Sequence, residues 1–278
     1  MIYLIPTGGL CNRLRAMASA ISLANELGHQ LKIFWVKDDG LNCQFRDLFE
    51  PINIENVQLK ELSRKPVLYR VYRSKRPLVK VVCYFINVLK KVYFDVELLH
   101  KEPIDALKKK DFHTGKFKRI VIETQHRFYP YDGFKKHFSP VAALKQRIES
   151  RIGRFGKFPV GVHLRRTDLP QQNMSPTSAF VSEMENIILK NDGVKFYVAS
   201  DSREDKELLK RKFNERILTS FEDVSRNSRN GMQDAVVDLF CLSHCNMVLG
   251  TYYSSFSRVA ACDLGGIPLK IIKVKDIQ

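Results

Sequence analysis

Several features that would announce a protein class are missing. No run of about 18 apolar residues occurs in the 278-residue chain, so no helix is expected to span a bilayer. The N-terminus lacks a basic stretch followed by an apolar one. Met1–Ile5 leads straight into Pro6-Thr7-Gly8-Gly9, and no secretory signal is read there. No two cysteines are spaced CxxC. Cys11, Cys43, Cys83, Cys241, Cys245 and Cys262, of which Cys241 and Cys245 lie one helical turn apart, are expected to be reduced and mostly in the core. In an intracellular chain, the glycosylation match at Asn173-Met174-Ser175 is then a chance one. No internal repeat appears. Acidic residues are scarce, 30 against 46 Lys and Arg, a net charge of +16. Such a surplus favours an anionic partner: nucleic acid, an acidic membrane surface or a phosphorylated ligand. The plain alternative is a basic surface with no dedicated partner. With 44% hydrophobic and 27% charged residues, the composition excludes collagen-like and wholly disordered classes.

What is present is alternation of strand and helix. Met1–Ile5 reads as a strand and Gly8-Gly9 as a turn. Leu14, Met17, Ala18, Ile21, Ala24 and Leu27 recur at helical spacing, Gly28 is a plausible C-cap, and 30–36 reads as a second strand. Residues 55–120 are rich in Lys and Arg with interleaved aromatics. Within them, Leu78–Leu99 is a mostly apolar segment that reads either as a buried helix of the first domain or as an interfacial helix with its lysines at lipid head groups. Strand 119–123 and helix 140–152 follow. The second half then alternates: strands 159–164, 194–199, 215–218, 247–249 and 267–272, with helices from Ser175-Pro176 to Lys190, from Ser202 or Arg203 to Phe213, over 232–245 and over 254–263. The expectation is α/β, with a doubly wound parallel sheet in the second half. The domains are placed at 1–139 and 140–278.

Four segments carry chemistry. Val160–Leu164 is a buried strand that ends in Arg165-Arg166-Thr167-Asp168, and ligands of open α/β sheets bind beyond the carboxyl ends of the strands. Adjacent arginines on extended chain point oppositely, so one can offer its fork of donors to phosphate while the other pairs with Asp168 or another internal acid. A strand-end salt bridge without ligand is the alternative. Pro6–Arg13 is a glycine turn feeding a helix N-terminus, suited to an anion, though it is neither GxGxxG nor a P-loop. Gly250–Arg258 reads as a second such turn, or as ordinary Ser/Thr capping. Asp238 lies on an apolar helix, either as a solvated position or as a buried acceptor for a base edge.

Together, GGLCNRLRA (8–16), VGVHLRRTD (160–168), VASDS (198–202) and QDAVVDLFCLSHCNMVLGTYYSSFSRVAA (233–261) resemble the GDP-fucose-dependent fucosyltransferases: the α1,2-, α1,6- and protein O-fucosyltransferases, most closely the nodulation-type α1,6 enzymes and their bacterial relatives. The resemblance covers most of the chain except about 40–120. It implies a GT-B fold, two Rossmann-like domains facing across a cleft, with a GDP-sugar-binding C-terminal domain and an acceptor-side N-terminal one. By the same resemblance His163 and Asp238 contact guanine, Arg165 binds the leaving β-phosphate, Arg166 and Asp168 complete HxRRxD, and Asp201 lies near ribose or sugar. Thr251, Ser254 and Ser255 lie near the phosphates. Gly9, Leu10, Asn12 and Arg13 form the first-domain loop that closes on the pyrophosphate.

The implied reaction is inverting transfer of L-fucose from GDP-β-L-fucose to a glycan hydroxyl, of a bacterial surface oligosaccharide or polysaccharide. No cofactor and no metal are expected; Asp38-Asp39 is only superficially a DxD. Two departures stand out. Cys11 replaces the last glycine of an expected GGxGN, giving up the freedom of positive φ. Asn173 stands where some α1,6-type enzymes carry a glutamate proposed as general base. The base is therefore unassigned, with Asp168, Glu123 and His126 as candidates. Other GDP-sugars are a nearer alternative, and a non-enzymatic binder of anionic polymers a remoter one; no nucleic-acid motif is present. The expected setting is cytoplasmic, with a glycan or lipid-linked acceptor and peripheral contact with an anionic inner-membrane face.

Overall fold

The computed structural model describes residues 1–65, 76–108, 112, 117–166, 174–222, 225 and 227–274. Asp168 and Asn173 fall outside that set. The chain divides into two compact units, Met1–Arg46 with Glu50–Phe138, and Asp47–Phe49 with Ser139–Gln278.

The first unit runs β1 (Ile2–Pro6), α1 (Leu10–Glu26), β2 (Leu31–Val36), β3 (Val57–Leu62), α2 (Pro77–Tyr93), β4 (Val96–Leu99), α3 (Glu102–Lys108), β5 (Ile120–Thr124) and α4 (Phe134–His137). The strands form one parallel sheet in the order β3-β2-β1-β5-β4. β1 lies at its centre and is buried throughout, as a strand covered on both faces must be. The apolar stripe of α1 packs inward, with Leu14, Met17, Ala18, Ile21 and Ala24 buried, and Gly28 takes the left-handed conformation just past the helix end. Tyr3, Ile5, Phe34, Val36, Phe94 and Val121 form a core cluster.

The reading of 78–99 as one buried helix does not hold. α2 stops at Tyr93, and Asp95 marks the break by accepting the backbone N–H groups of Lys118 and Arg119 at 2.6 Å each. β4 then joins the sheet edge. In α2 itself only Cys83 and Lys90 are buried, while Leu78 is 84% and Val92 73% exposed.

The second unit runs α5 (Ala142–Ile152), β6 (Pro159–Leu164), α6 (Thr177–Lys190), β7 (Lys195–Ser200), α7 (Arg203–Phe213), β8 (Ile217–Thr219), α8 (Arg229–Ser243), β9 (Met247–Thr251), α9 (Ser255–Arg258), which continues as a π-helical stretch to Gly265, and β10 (Leu269–Ile272). All five strands are parallel in the order β10-β9-β6-β7-β8. Strand order reverses between β6 and β9, which makes that junction the topological switch point. Val160, Val162 and Leu164 face Phe180, Met184, Val198 and Leu209 in a buried cluster. Ser202 caps α7 by accepting from Asp205 N, and Ser228 caps α8 by accepting from Gly231 N, three residues ahead of the expected start. α6 begins at Thr177, not at Ser175-Pro176, because the Ser175 hydroxyl is engaged elsewhere. It donates to Ile272 O at 2.5 Å and accepts from Tyr252 N at 3.0 Å. Five of the six cysteines are buried and Cys262 is exposed. Among the described residues no helix is long and apolar enough to cross a membrane.

Candidate functional site

The carboxyl ends of β6 and β9 bring His163, Arg165, Arg166, Thr251 and Ser254 together at the switch point. His163 is the fifth residue of β6 and nearly buried. Its Nδ1 is 2.8 Å from Ser257 Oγ, and its ring stacks on Phe256 at 4.7 Å between centroids. That approach of α9 requires Gly250, since a Cβ there would lie 2.6 Å from the Ser257 Cβ. Burial, reinforced by the positive charge of Arg165, pushes the His163 imidazole down to about 3, so it is neutral at physiological pH. With Nδ1 engaged, Nε2 is the ring nitrogen that could meet a ligand.

Thr251 is fully buried, and its hydroxyl is spent on main chain: it donates to His163 O at 2.9 Å and accepts from Arg165 N at 3.0 Å. It ties the two strand ends together and sets the start of the Arg165 side chain. Ser254 opens α9, and its Oγ is buried with no hydrogen-bond partner among the described residues. A buried, unsatisfied hydroxyl costs free energy that a ligand oxygen can recover. The preceding Tyr253 sits at φ +63, a left-handed conformation that L residues with bulky side chains rarely hold. Ser255 is half-buried in the first turn of the same helix.

Arg166 turns into the protein, and each of its guanidinium nitrogens is engaged: Nε donates to Asp205 Oδ2 at 2.6 Å, Nη1 to Ser175 O at 2.7 Å and Nη2 to Thr177 Oγ1 at 2.8 Å. The internal acid paired with it is thus Asp205. Asp201 accepts the Arg166 backbone N–H at 2.7 Å, so its carboxylate shapes the strand end.

Asp238 is buried on α8. Its Oδ1 accepts from Tyr197 Oη at 2.5 Å and Arg151 Nη1 at 2.8 Å. Asp234, one turn earlier on α8, accepts from Arg151 at 2.5 Å and Arg147 at 2.9 Å. Burial raises both carboxyls, that of Asp234 to about 6. Among the described residues Asp238 makes no hydrogen bond to His163. It stands behind Tyr197, whose strand neighbour Ala199 pairs with His163.

In the first unit the loop after β1 places Gly8, Gly9, Leu10 and Asn12 at the start of α1. Gly8 has φ +75 and a Cβ there would meet Gln125 Oε1 at 2.7 Å, whereas Gly9 has ordinary φ and open space beside it. Gly9 is the N-cap of α1, with no side-chain cap and no acid in the first turn. Leu10 and Cys11 are buried, and Asn12 is half-buried. Cys11 lies inside the helix and has no positive φ, so the missing glycine costs the backbone nothing. Arg13 does not reach out of the loop. It is fully buried, donating from Nε to Gly8 O at 2.8 Å, from Nη1 to Val36 O at 2.5 Å and from Nη2 to Asp38 Oδ1 at 2.6 Å, with Trp35 under its guanidinium at 5.2 Å. It braces the loop from behind. Glu123 is ion-paired with Lys65. His126 is held below its ordinary value by burial and then by Lys101, Arg15 and His100.

No protein-family model matches the chain, and no curated protein matches it in sequence. Solved structures do. An α1,6-fucosyltransferase, NodZ, soaked with GDP-fucose matches at a TM-score of 0.60 and 16% identity, covering 95% of this chain and 92% of that one. NodZ from Bradyrhizobium, at 18% identity, likewise matches at 0.60 over 95% and 93%. A mutant of Arabidopsis thaliana FUT1 in complex with GDP matches at 0.63 and 17% identity over 99% and 71%, and POFUT1 in complex with GDP at 0.55 and 12% over 98% of each chain. The chain, with its two parallel-sheet α/β units, is thus similar in fold to these solved structures.

Proposed function

We propose that the protein is an inverting glycosyltransferase of GT-B type that moves L-fucose from GDP-β-L-fucose to a hydroxyl of a glycan acceptor. The observation that carries this reading is the buried hydroxyl of Ser254, partnerless among the described residues, at the β6–β9 switch point, beside the strand end that bears Arg165. The solved structures of similar fold that hold GDP or GDP-fucose agree with it. In the reaction the C1–O bond of the sugar breaks and negative charge collects on the β-phosphate. Arg165, Ser254 and the amides opening α9 stabilise that charge more in the transition state than before it. Arg165 and the amides provide the neutralisation, so the reading includes no metal. His163 offers Nε2 to the guanine, and Asp238 acts on that site through Tyr197. The acceptor is a surface oligosaccharide, polysaccharide or lipid-linked glycan, met in the cytoplasm at the anionic inner face of a membrane. The +16 charge suits that setting.

Calorimetric titration with GDP and with ADP, in EDTA, tests the reading. GDP binds, ADP binds more weakly, and Arg165→Ala lowers GDP affinity roughly 10²-fold, the scale of one lost contact to developing charge. Equal binding of ADP, or none of GDP, defeats it.

A further inference from the structure

α2 is anchored along one side only. Cys83 and Lys90 are buried, Ile86 and Asn87 half-buried, and Phe94 follows them into the core. Lys90 Nζ holds Glu97 Oε1 at 2.8 Å, and Tyr93 Oη meets Tyr3 Oη at 3.2 Å. The opposite side is apolar without interruption. On a helix of 3.6 residues per turn, Val81, Val82, Phe85, Val88, Leu89 and Val92, with Leu78, fall within an arc of about 120° facing away from the anchor. All seven are exposed. Lys80 and Lys91 are exposed along one border of the arc, with Tyr84 between them and it.

Monomeric proteins rarely leave so continuous an apolar strip in water. The charge around it says what covers it. The exposed charged side chains of α2, Lys80 and Lys91, are both cations, Arg76 precedes its first turn, and the sequence has no acid from Arg64 to Phe94. Two copies of that surface would repel each other, which disfavours a homodimer through this helix. A surface that is apolar beneath and anionic above fits both features: the arc enters the acyl boundary and the lysines reach the head groups. We propose that α2 is an interfacial helix that seats the protein on an anionic lipid bilayer. It lies in the plane of the surface, since 17 residues bordered by lysines do not span one. Docking rests on this helix alone. Its use, bringing the transferase to a membrane-held acceptor, rests on the function proposed above.

Flotation of the full chain with phosphatidylcholine vesicles, with and without phosphatidylglycerol, tests it at physiological salt. The protein floats with the anionic vesicles at least tenfold better than with the neutral ones. Phe85→Asp with Leu89→Asp abolishes flotation while GDP affinity and thermal midpoint stay at wild type, because both side chains already stand in solvent. Lys80→Glu with Lys91→Glu lowers anionic-vesicle binding roughly tenfold or more, each cation near such a surface counting for about a fivefold change. Failure of the wild type to float overturns the proposal. So does flotation of Phe85→Asp/Leu89→Asp at the wild-type level. Self-association in gel filtration that this variant abolishes, without flotation of the wild type, assigns the face to a second copy and overturns it too. GDP titration on the same samples separates the two questions: flotation without GDP binding keeps the docking helix and removes the transferase.

Discussion

Replacing Arg166 by Ala separates scaffold from ligand site within the Arg165-Arg166 pair. The substitution removes three charge-assisted hydrogen bonds, to Asp205, Ser175 O and Thr177. It also strands Asp205, which among the described residues keeps only the Thr177 hydroxyl at 2.6 Å as a side-chain donor. Each such bond contributes about 1.5–3 kcal/mol when its partners are buried. Arg166 and Asp205 are 18% and 13% exposed, so water re-enters and recovers part of that. A net loss of about 3 kcal/mol follows, in the range of a broken buried pair. For a unit of this size that is on the order of 10 °C in thermal midpoint. Arg166→Lys keeps the charge but not the fork, and loses about half as much. Urea and thermal unfolding, run beside GDP titration at a temperature where the variant is still folded, give the comparison. Arg166→Ala unfolds early and, while folded, binds GDP within tenfold of wild type. Arg165→Ala shows the reverse order, a large loss of GDP affinity and a smaller loss of stability. An Arg166→Ala protein that unfolds at the wild-type midpoint yet no longer binds GDP would show that this guanidinium spends its donors on the ligand, and the division of roles would be wrong.

The neutral His163 makes stability pH-dependent in a known direction. Its folded value, about 3, lies below the ordinary value of about 6.5, so the unfolded chain holds more protons between the two. Stability from this group is complete above pH 6.5 and falls by about 1.4 kcal/mol per unit as pH drops towards 3. Asp234, raised to about 6, acts oppositely between about 3.8 and 6, but it does so in wild type and in His163→Asn alike. The urea midpoint of the variant therefore falls less steeply with acid than that of wild type, and parallel profiles would refute the buried neutral ring. In the first unit, Gly8→Ala forces a left-handed residue against Gln125 and costs about 1–2 kcal/mol, whereas Gly9→Ala meets open space and costs no more than about 1 kcal/mol at the cap. The order reverses for fucose transfer if Gly9 faces the pyrophosphate: Gly9→Ala loses more activity than its stability explains, and full activity of a stable Gly9→Ala protein counts against a phosphate at that helix end.

How far the sequence could be read depended on what each residue meets. The inner strands of the second unit, β6, β7 and β9, are covered on both faces, so each appears as a short apolar run between helices of regular period, and the parallel order followed. β3 escaped because it is an edge strand whose outward residues, Gln58 and Lys60, together with Glu61, dilute the run. β4 escaped because its apolar residues continue those of α2, and only Asp95 interrupts them. The exposed strip of α2 was equally hidden, since composition says that a helix is apolar but not which side has neighbours. The site was legible as a place and less so as a set of roles. His163-x-Arg165-Arg166 at a strand end pointed to the switch point, but Asp205, Ser175 and Thr177, which claim Arg166, lie 9 to 39 positions away and carry no local mark. Arg13 did carry one. It stands with Leu10, Leu14 and Met17 at helical spacing, on the face that α1 buries, and a charged residue on such a face must be satisfied from within. Gly8 O, Val36 O and Asp38 satisfy it, and thereby fix the turn that leaves the Gly9 amides open. A motif thus marks where a ligand binds, while burial decides which of its side chains hold the ligand and which hold the loop that does.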